Sequence, residues 1–236
     1  MPVRSAPPLG VIMLDTRFER PPGDVGNALS WPFPVLYRTV AGATARSVID
    51  GREERLLDAF VEAGEDLGRQ GACALVTSCG FLVRRQSYLA ARLKLPLATS
   101  SLLQIPAVQR LLPAGKTVGV VTYDEHSLTA AHFAEAGVAE PVLVAGLPKG
   151  GRFHEMIEGE VPYRREMLEE ELLGTVAALL ARSSGIGAIV LECTNLPPFS
   201  PDIAKRFGLP VFDVLTLGRW LHASAAMLGR TVAQEK

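Results

Sequence analysis

Cys79 and Cys193 carry the most chemistry in this chain, and they sit in matched settings. Cys79 follows the run Leu75-Val76-Thr77-Ser78 and Cys193 follows Ile189-Val190-Leu191-Glu192. Each run reads as a strand passing into a loop. The carboxyl ends of parallel strands are where open α/β sheets hold ligands. Two such halves facing each other across a pseudo-two-fold axis would bring the thiols onto opposite walls of one cleft. A thiolate on one wall can remove a proton from a carbon, and the opposite thiol can return one to the other face, which inverts a stereocentre. A helix N-terminus after each cysteine is expected to lower its pKa from about 8.5. The free N–H groups of that terminus would hold a substrate carboxylate. Cys73, the third cysteine, lies at a strand start on the side away from the cleft and reads as a small buried hydrophobe.

The elements that must position these thiols alternate along the chain. Apolar runs predict strands at Leu9–Leu14, Val35–Val40, Ala72–Thr77, Pro96–Thr99, Thr117–Thr122, Val142–Ala145, Ala188–Leu191 and Pro210–Asp213. Between them, amphipathic spacing predicts helices at Glu53–Gln70, Arg84–Leu93, Leu102–Leu111, His126–Ala136, Arg164–Arg182, Pro201–Phe207 and Leu217–Leu228. Near-continuous apolar strands between helices mean parallel sheets covered on both faces. Residues 72–103 also align without a gap on residues 186–217, with nine identities in thirty-two positions, among them Cys79/Cys193, Leu82/Leu196 and Pro96/Pro210. Ordinary composition would give about two. Leu9-Gly10-Val11-Ile12 matches Val118-Gly119-Val120-Val121 in the same way, and Asp15 matches Asp124. The expected fold is α/β. Two pseudo-symmetric flavodoxin-like or Rossmann-like units, each with a four-stranded parallel sheet, would place an active site in the cleft between them. The first unit is expected over residues 1–112, with a C-terminal helix in 217–236 packing back on it, and the second over 113–216.

Composition narrows the function classes. The 236 residues are 48% hydrophobic and carry 24 basic against 25 acidic side chains, a net charge of −1. A nucleic-acid partner needs a clustered basic surface, and none is expected here. No run of eighteen apolar residues predicts a membrane span. Met1–Pro8 does not read as a signal peptide, and three cysteines make a poor disulfide framework. A reduced, cytoplasmic protein is expected. No histidine pair has metal-ligand spacing, so no metal is expected.

Residues around the strand ends are candidates for substrate binding. Asp15 and Thr16 end the first strand; capping is their ordinary alternative. Tyr123, beside Asp124, can donate to a carboxylate or enolate oxygen. Ser78, Gly80, Phe81, Thr194 and Asn195 flank the cysteines and can offer backbone or side-chain donors. Strand alternation points Glu192 away from Cys193, into the covering layer, where a buried carboxylate needs a partner; tuning of Cys193, or service as a base itself, is the functional alternative. The long segment Arg17–Pro34, stiffened by proline and aromatic residues, reads as a wall or lid over the site, with Asn27 reaching in. Trp31 and Phe33 would equally suit an oligomer contact. Lys149–Pro162 is the corresponding connection in the second half. Arg17-Phe18-Glu19-Arg20 itself reads as a solvated edge. His126 is expected near the cleft at a helix start, and His132, His154 and His222 elsewhere, structural or solvated.

Together these residues resemble the aspartate/glutamate racemase superfamily, which includes hydantoin racemases, maleate cis–trans isomerase and arylmalonate decarboxylase. Ile189-Val190-Leu191-Glu192-Cys193-Thr194-Asn195-Leu196-Pro197 is similar to the second-cysteine motif, and Thr77-Ser78-Cys79-Gly80-Phe81 stands at the first. The resemblance implies cofactor-independent proton transfer, with Cys79 and Cys193 as the acid/base pair at a carbon α to a carboxyl or carbonyl. Decarboxylases of the group keep only the second cysteine. Two departures stand out: Gly80-Phe81 replaces a usual Asn-Thr pair, and Glu192 replaces a usual Gly. Phe81 makes aspartate and glutamate doubtful substrates and favours a substituted carboxylate or a hydantoin-like ring. The expected activity is that of a racemase or epimerase. A maleate-type cis–trans isomerase or related decarboxylase is the enzymatic alternative, and a two-domain small-molecule sensor the non-enzymatic one. A homo-oligomer, dimer or higher, is expected.

Overall fold

Parallel strands build the molecule, and the central ones are buried on both faces. The computed structural model describes residues 6–158 and 161–227. Strands β1 (Leu9–Leu14), β2 (Val35–Val40), β3 (Ala74–Thr77) and β4 (Leu97–Ala98) form one sheet in the order β2-β1-β3-β4. Strands β5 (Thr117–Thr122), β6 (Leu143–Gly146), β7 (Ile186–Leu191) and β8 (Val211–Phe212) form a second in the same order, β6-β5-β7-β8. Every pairing is parallel. The two sheets repeat the topology read from the internal sequence match.

Helices cover the sheets as the apolar spacing requires. Helix α2 (Leu57–Arg69) buries Leu57, Phe60, Ala63, Gly64 and Leu67, and α7 (Arg165–Ala181) buries Leu168, Leu172, Thr175, Val176 and Leu179. These are the i, i+3/i+4, i+7 positions of one helix face. Other expected helices begin as 3-10 turns: Glu53–Leu56 precedes α2, Gly80–Arg85 precedes α3 (Gln86–Ala90) and Ser101–Gln104 precedes α4 (Ile105–Leu111). Helix α5 (Ala130–Glu135) starts later than expected because Thr129 and His132 cap it reciprocally. Helix α8 covers Ser200–Phe207. Two short helices were not expected, α1 (Ala45–Ile49) and α6 (Arg152–Ile157).

The last helix, α9 (Val214–Ala225), begins three residues before the expected Leu217 because the Asp213 carboxylate accepts the Thr216 N–H, at 2.8 Å. Its expected end at Leu228 lies outside the described residues. Val214, Leu215, Leu217 and Ala225 of α9 pack with Leu9, Val11, Ala74 and Val76 of the first sheet in one buried cluster. The chain thus crosses back onto the half in which it began. Among the described residues, no helix is long and apolar enough to cross a membrane.

Candidate active site

Cys79 and Cys193 each stand two residues beyond the last residue of the third strand in their sheet, after Thr77 of β3 and Leu191 of β7. Both are buried, at 8% and 7% exposure, and neither is in a disulfide. They line one inner cavity of about 30 Å³ together with Leu14, Phe18, Phe81, Tyr123 and Glu192. That volume has room for about one water molecule. Outside it opens a cleft of about 680 Å³ bordered by Asp15, Arg17, Arg46, Asp124, Lys149 and His154. The two spaces share Thr16, Phe18, Ala45, Ile49, Tyr123 and Ile157 as walls.

The thiols are not activated in the way their positions led us to expect. Burial, and next the Glu192 charge, push the Cys79 thiol up to about 12, although the N–H groups of Phe81 and Leu82 pull the other way. Burial and Glu192 likewise hold the Cys193 thiol well above the usual thiol range, against the N–H of Asn195. The helix-end expectation fails because the turn after Cys79 is a short 3-10 segment and desolvation of a thiolate outweighs its partial charge.

Glu192 corrects a second expectation. It does not turn into the covering layer; it is fully buried in the wall of the inner cavity. Its Oε2 accepts the Thr122 hydroxyl at 2.7 Å, while Oε1 has no hydrogen-bond partner. Burial pushes its carboxyl up to about 7, against the Thr122 hydroxyl and the Tyr123 N–H. A Cβ placed on Gly80 would collide with Oε1 and with the carbonyl oxygen of Glu192. The two departures from the family pattern, Gly80 and Glu192, are therefore in contact: the glycine after one cysteine makes room for the carboxylate before the other.

A chain of polar contacts reaches Cys193 from the loop after β1. The Cys193 thiol points to Asn195 Oδ1 at 3.7 Å, and Asn195 Nδ2 donates to Asp24 Oδ2 at 2.7 Å. Asp24, 1% exposed, accepts from Arg20 at 2.7 Å and from the Gly26 N–H at 2.8 Å. Arg20 also donates to the Thr16 hydroxyl at 2.8 Å and stacks over Phe18. Arg17, Phe18 and Arg20 thus line the site rather than forming a solvated edge. Arg20 and Asp24 carried no separate signal in the sequence, because the contact that unites them with Asn195 spans 171 positions.

The remaining candidates divide between walls and scaffold. Phe81 lines the inner cavity and meets His132 edge-on at 5.4 Å. Tyr123 stacks on His154 at 4.0 Å and donates its hydroxyl to Glu158 at 3.3 Å. Asp15 borders the outer cleft, where it accepts the Gly42 N–H at 3.0 Å. Ser78 and Thr194 spend their hydroxyls on structure: Ser78 Oγ accepts the Leu14 N–H, and Thr194 donates to the Ser78 carbonyl. Asn27 does not reach in. Its side chain accepts from the Leu29 N–H and donates to the Arg20 carbonyl, shaping its own turn. His126 lines neither space, whereas His154 on α6 borders the outer cleft. The Lys149–Pro162 connection supplies Lys149, His154, Ile157 and Glu158 to that border; Gly159 and Glu160 within it lie outside the described residues. Trp31 and Phe33 face inward, Trp31 buried and Phe33 stacked on His222 at 3.5 Å. They secure the loop to α9.

The model of the Asp/Glu/hydantoin racemase family matches residues 35–221. The chain belongs to that family. Among curated relatives it is similar to a dimethylsulfoniopropionate lyase of Durusdinium sp. clade D, with 32% identity over 216 residues, 88% of this chain and 71% of the relative. Dimethylsulfoniopropionate lyase 3 of Emiliania huxleyi (strain CCMP1516) is 30% identical over 94% of this chain, which spans 61% of that relative's length. Among solved structures, allantoin racemase from Pseudomonas fluorescens superposes with a TM-score of 0.59 at 16% identity, covering 94% of this chain and 92% of its own. Likeness at that identity shows a shared fold, two parallel sheets with flanking helices.

Proposed function

We propose that this chain is a lyase that removes a proton from the carbon next to a carboxylate and expels a group from the following carbon, with dimethylsulfoniopropionate as substrate. The observation that carries the reading is the Cys193 thiol, buried and oriented by Asn195, opening on a cavity walled by Phe18, Phe81 and Tyr123. Aromatic faces suit a sulfonium cation. Arg20 and the N–H groups that follow the cysteines suit the carboxylate. The activity named for the curated relatives supports the same substrate.

In this reading Cys193, as thiolate, takes the α-proton. The C–H electron pair becomes the carbon–carbon double bond, the C–S pair leaves with sulfur, and acrylate and dimethyl sulfide form. Sulfur departs as a neutral sulfide, so the leaving group needs no acid, and one base suffices without a cofactor. Enolate charge developing on the carboxylate is offset by the same donors.

A second reading is a racemase or epimerase at a carbon α to a carboxyl or carbonyl, such as an amino acid or a hydantoin. The mirrored placement of Cys79 favours it. Incubation with dimethylsulfoniopropionate, with gas chromatography for dimethyl sulfide and NMR for acrylate, separates the two. Release of both products supports the lyase. Their absence, together with α-deuteration and loss of optical activity of a hydantoin or amino acid in D2O, would replace it with the racemase.

A further inference from the structure

Elimination by a thiolate leaves one step without an agent, because something must first accept the thiol's own proton. The site has a buried carboxylate to which no role has yet been given. Glu192 precedes Cys193 in the chain and lies against Gly80, the residue after Cys79, so its carboxyl stands between the two cysteine segments. One oxygen is held by the Thr122 hydroxyl; the other, Oε1, is buried and has no partner. A buried carboxylate oxygen without a donor is costly unless it serves as a proton acceptor or carries a proton itself.

We propose that Glu192 is a third proton-carrying group of the site, the acceptor that takes the Cys193 thiol proton onto Oε1 and so generates the thiolate. The inference rests on the lyase reading for the chemistry that follows. The cycle balances. The S–H bond of Cys193 breaks and an O–H bond forms on Glu192, with no change in net charge. The thiolate then takes the α-proton and becomes a thiol again as the sulfide leaves. Glu192 finally releases its proton to solvent, which accounts for the one proton freed when a zwitterion becomes acrylate and a neutral sulfide. Once Glu192 is neutral, the charge that had opposed thiolate formation is gone.

The other charged or titratable groups around this centre are Cys79 and Tyr123, Asp24 held by Arg20 and Asn195, and Glu53 held by Arg85 at 2.7 Å. Both of those carboxylates already have a cation. Glu192 has none, which singles it out as the mobile acceptor. Its carboxyl, at about 7, exchanges protons near neutrality, where a general base is most effective.

Glu192→Gln keeps the size of the side chain and an oxygen for Thr122 while abolishing proton uptake. Two measurements decide the matter. In a Cys73→Ser, Cys79→Ser background Cys193 is the one thiol left, and the pH dependence of its alkylation rate reads its titration without any substrate. The Gln change is expected to lower its midpoint by about one pH unit or more, since the opposing charge is removed. In the otherwise unaltered chain, Glu192→Gln is expected to reduce sulfide release about 100-fold or more and to erase the acid limb of its pH profile near 7, while Glu192→Asp keeps that limb. Unchanged or faster release in Glu192→Gln overturns the proposal, because Glu192 would then only suppress the thiol. An unmoved Cys193 titration overturns it independently of the substrate. If the parent chain releases no sulfide, the lyase reading fails by itself and the titration still tests the coupling.

Discussion

Each cysteine carries a separate expectation because elimination and racemisation ask different things of the pair. A racemase needs a proton-transfer group on both faces, whereas elimination needs one base. Removing the base should cost about 100- to 10,000-fold in turnover. We therefore expect Cys193→Ser to abolish most sulfide release and Cys79→Ser to reduce it less than about tenfold. Equal, large losses in both variants, measured at saturating substrate, would move the assignment to two-base chemistry. Glu192 also makes a stability prediction that needs no substrate. Its carboxyl is raised from 4.5 to about 7 by burial, so the folded state binds its proton more tightly than the unfolded state. Below about pH 4.5 both states are protonated and the group costs nothing. Between about 4.5 and 7 the folded state is progressively penalised, and above that the penalty is complete, on the order of 3 kcal/mol. Glu192→Gln should thus match the parent in denaturant melts at pH 4.5 and exceed it increasingly up to pH 7. A difference independent of pH would assign the gain to packing.

At the scale of elements, the segment Arg17–Pro34 holds the cleft wall in place through its far end. Trp31 donates its indole N–H to the Val25 carbonyl at 3.1 Å and lays its ring against Gly218 of α9. Arg219 of α9 donates to the Ser30 carbonyl at 3.0 Å. A Cβ at Gly218 would lie 2.6 Å from the Trp31 ring, and overpacking of that kind costs about 1–3 kcal/mol. Gly218→Ala should therefore loosen the loop, raise KM more than it lowers kcat, and speed tryptic cleavage after Arg17; cleavage and KM at parental values would mean that the loop is held elsewhere. The sequence was readable wherever a pattern was long and local. Continuous apolar runs announced β1 and β5, and the 3.6-residue stripe announced α2. Helices α1 and α6, of five and six residues, are too short to show a period and depend on packing. Glu192 was misread because strand alternation was carried one residue beyond the end of β7 at Leu191. The repeat put both thiols at strand ends, and both line the inner cavity, but their ionisation follows burial, which no local pattern reports. Arg20 and Asp24 were illegible because their partner Asn195 stands in the other half of the chain.

At the scale of the whole molecule, the two halves are joined at the floor of the cleft, beside the cysteines. Thr194 donates to the Ser78 carbonyl at 2.7 Å and Ser101 to the Leu191 carbonyl at 2.6 Å, both buried. Gln104 reaches the Asp213 carbonyl at 2.9 Å. The first bond joins the residues next to Cys79 and Cys193, and the second holds the end of β7 two residues before Cys193, so they set how one thiol faces the other. The inner cavity, about 30 Å³, is far below the several hundred Å³ of ordinary ligand sites, and substrate must enlarge it from the mouth while the floor holds register. Thr194→Val keeps the side chain's shape but removes its hydroxyl, leaving the buried Ser78 carbonyl without that donor, at a cost of about 1–3 kcal/mol. The expected outcome is a modest fall in Tm joined to a disproportionate fall in kcat with KM little changed, because binding groups at the mouth persist while the thiols lose alignment. Leu172→Ala provides the control. It empties a buried site on α7, removes about 2–5 kcal/mol and touches neither the cleft walls nor the floor, so below its melting range it should leave kcat within about twofold of the parent. Should Thr194→Val lose stability yet keep its kcat, the hydroxyl would be a fastening for the fold alone, and the alignment of the two thiols would have to come from the sheets themselves.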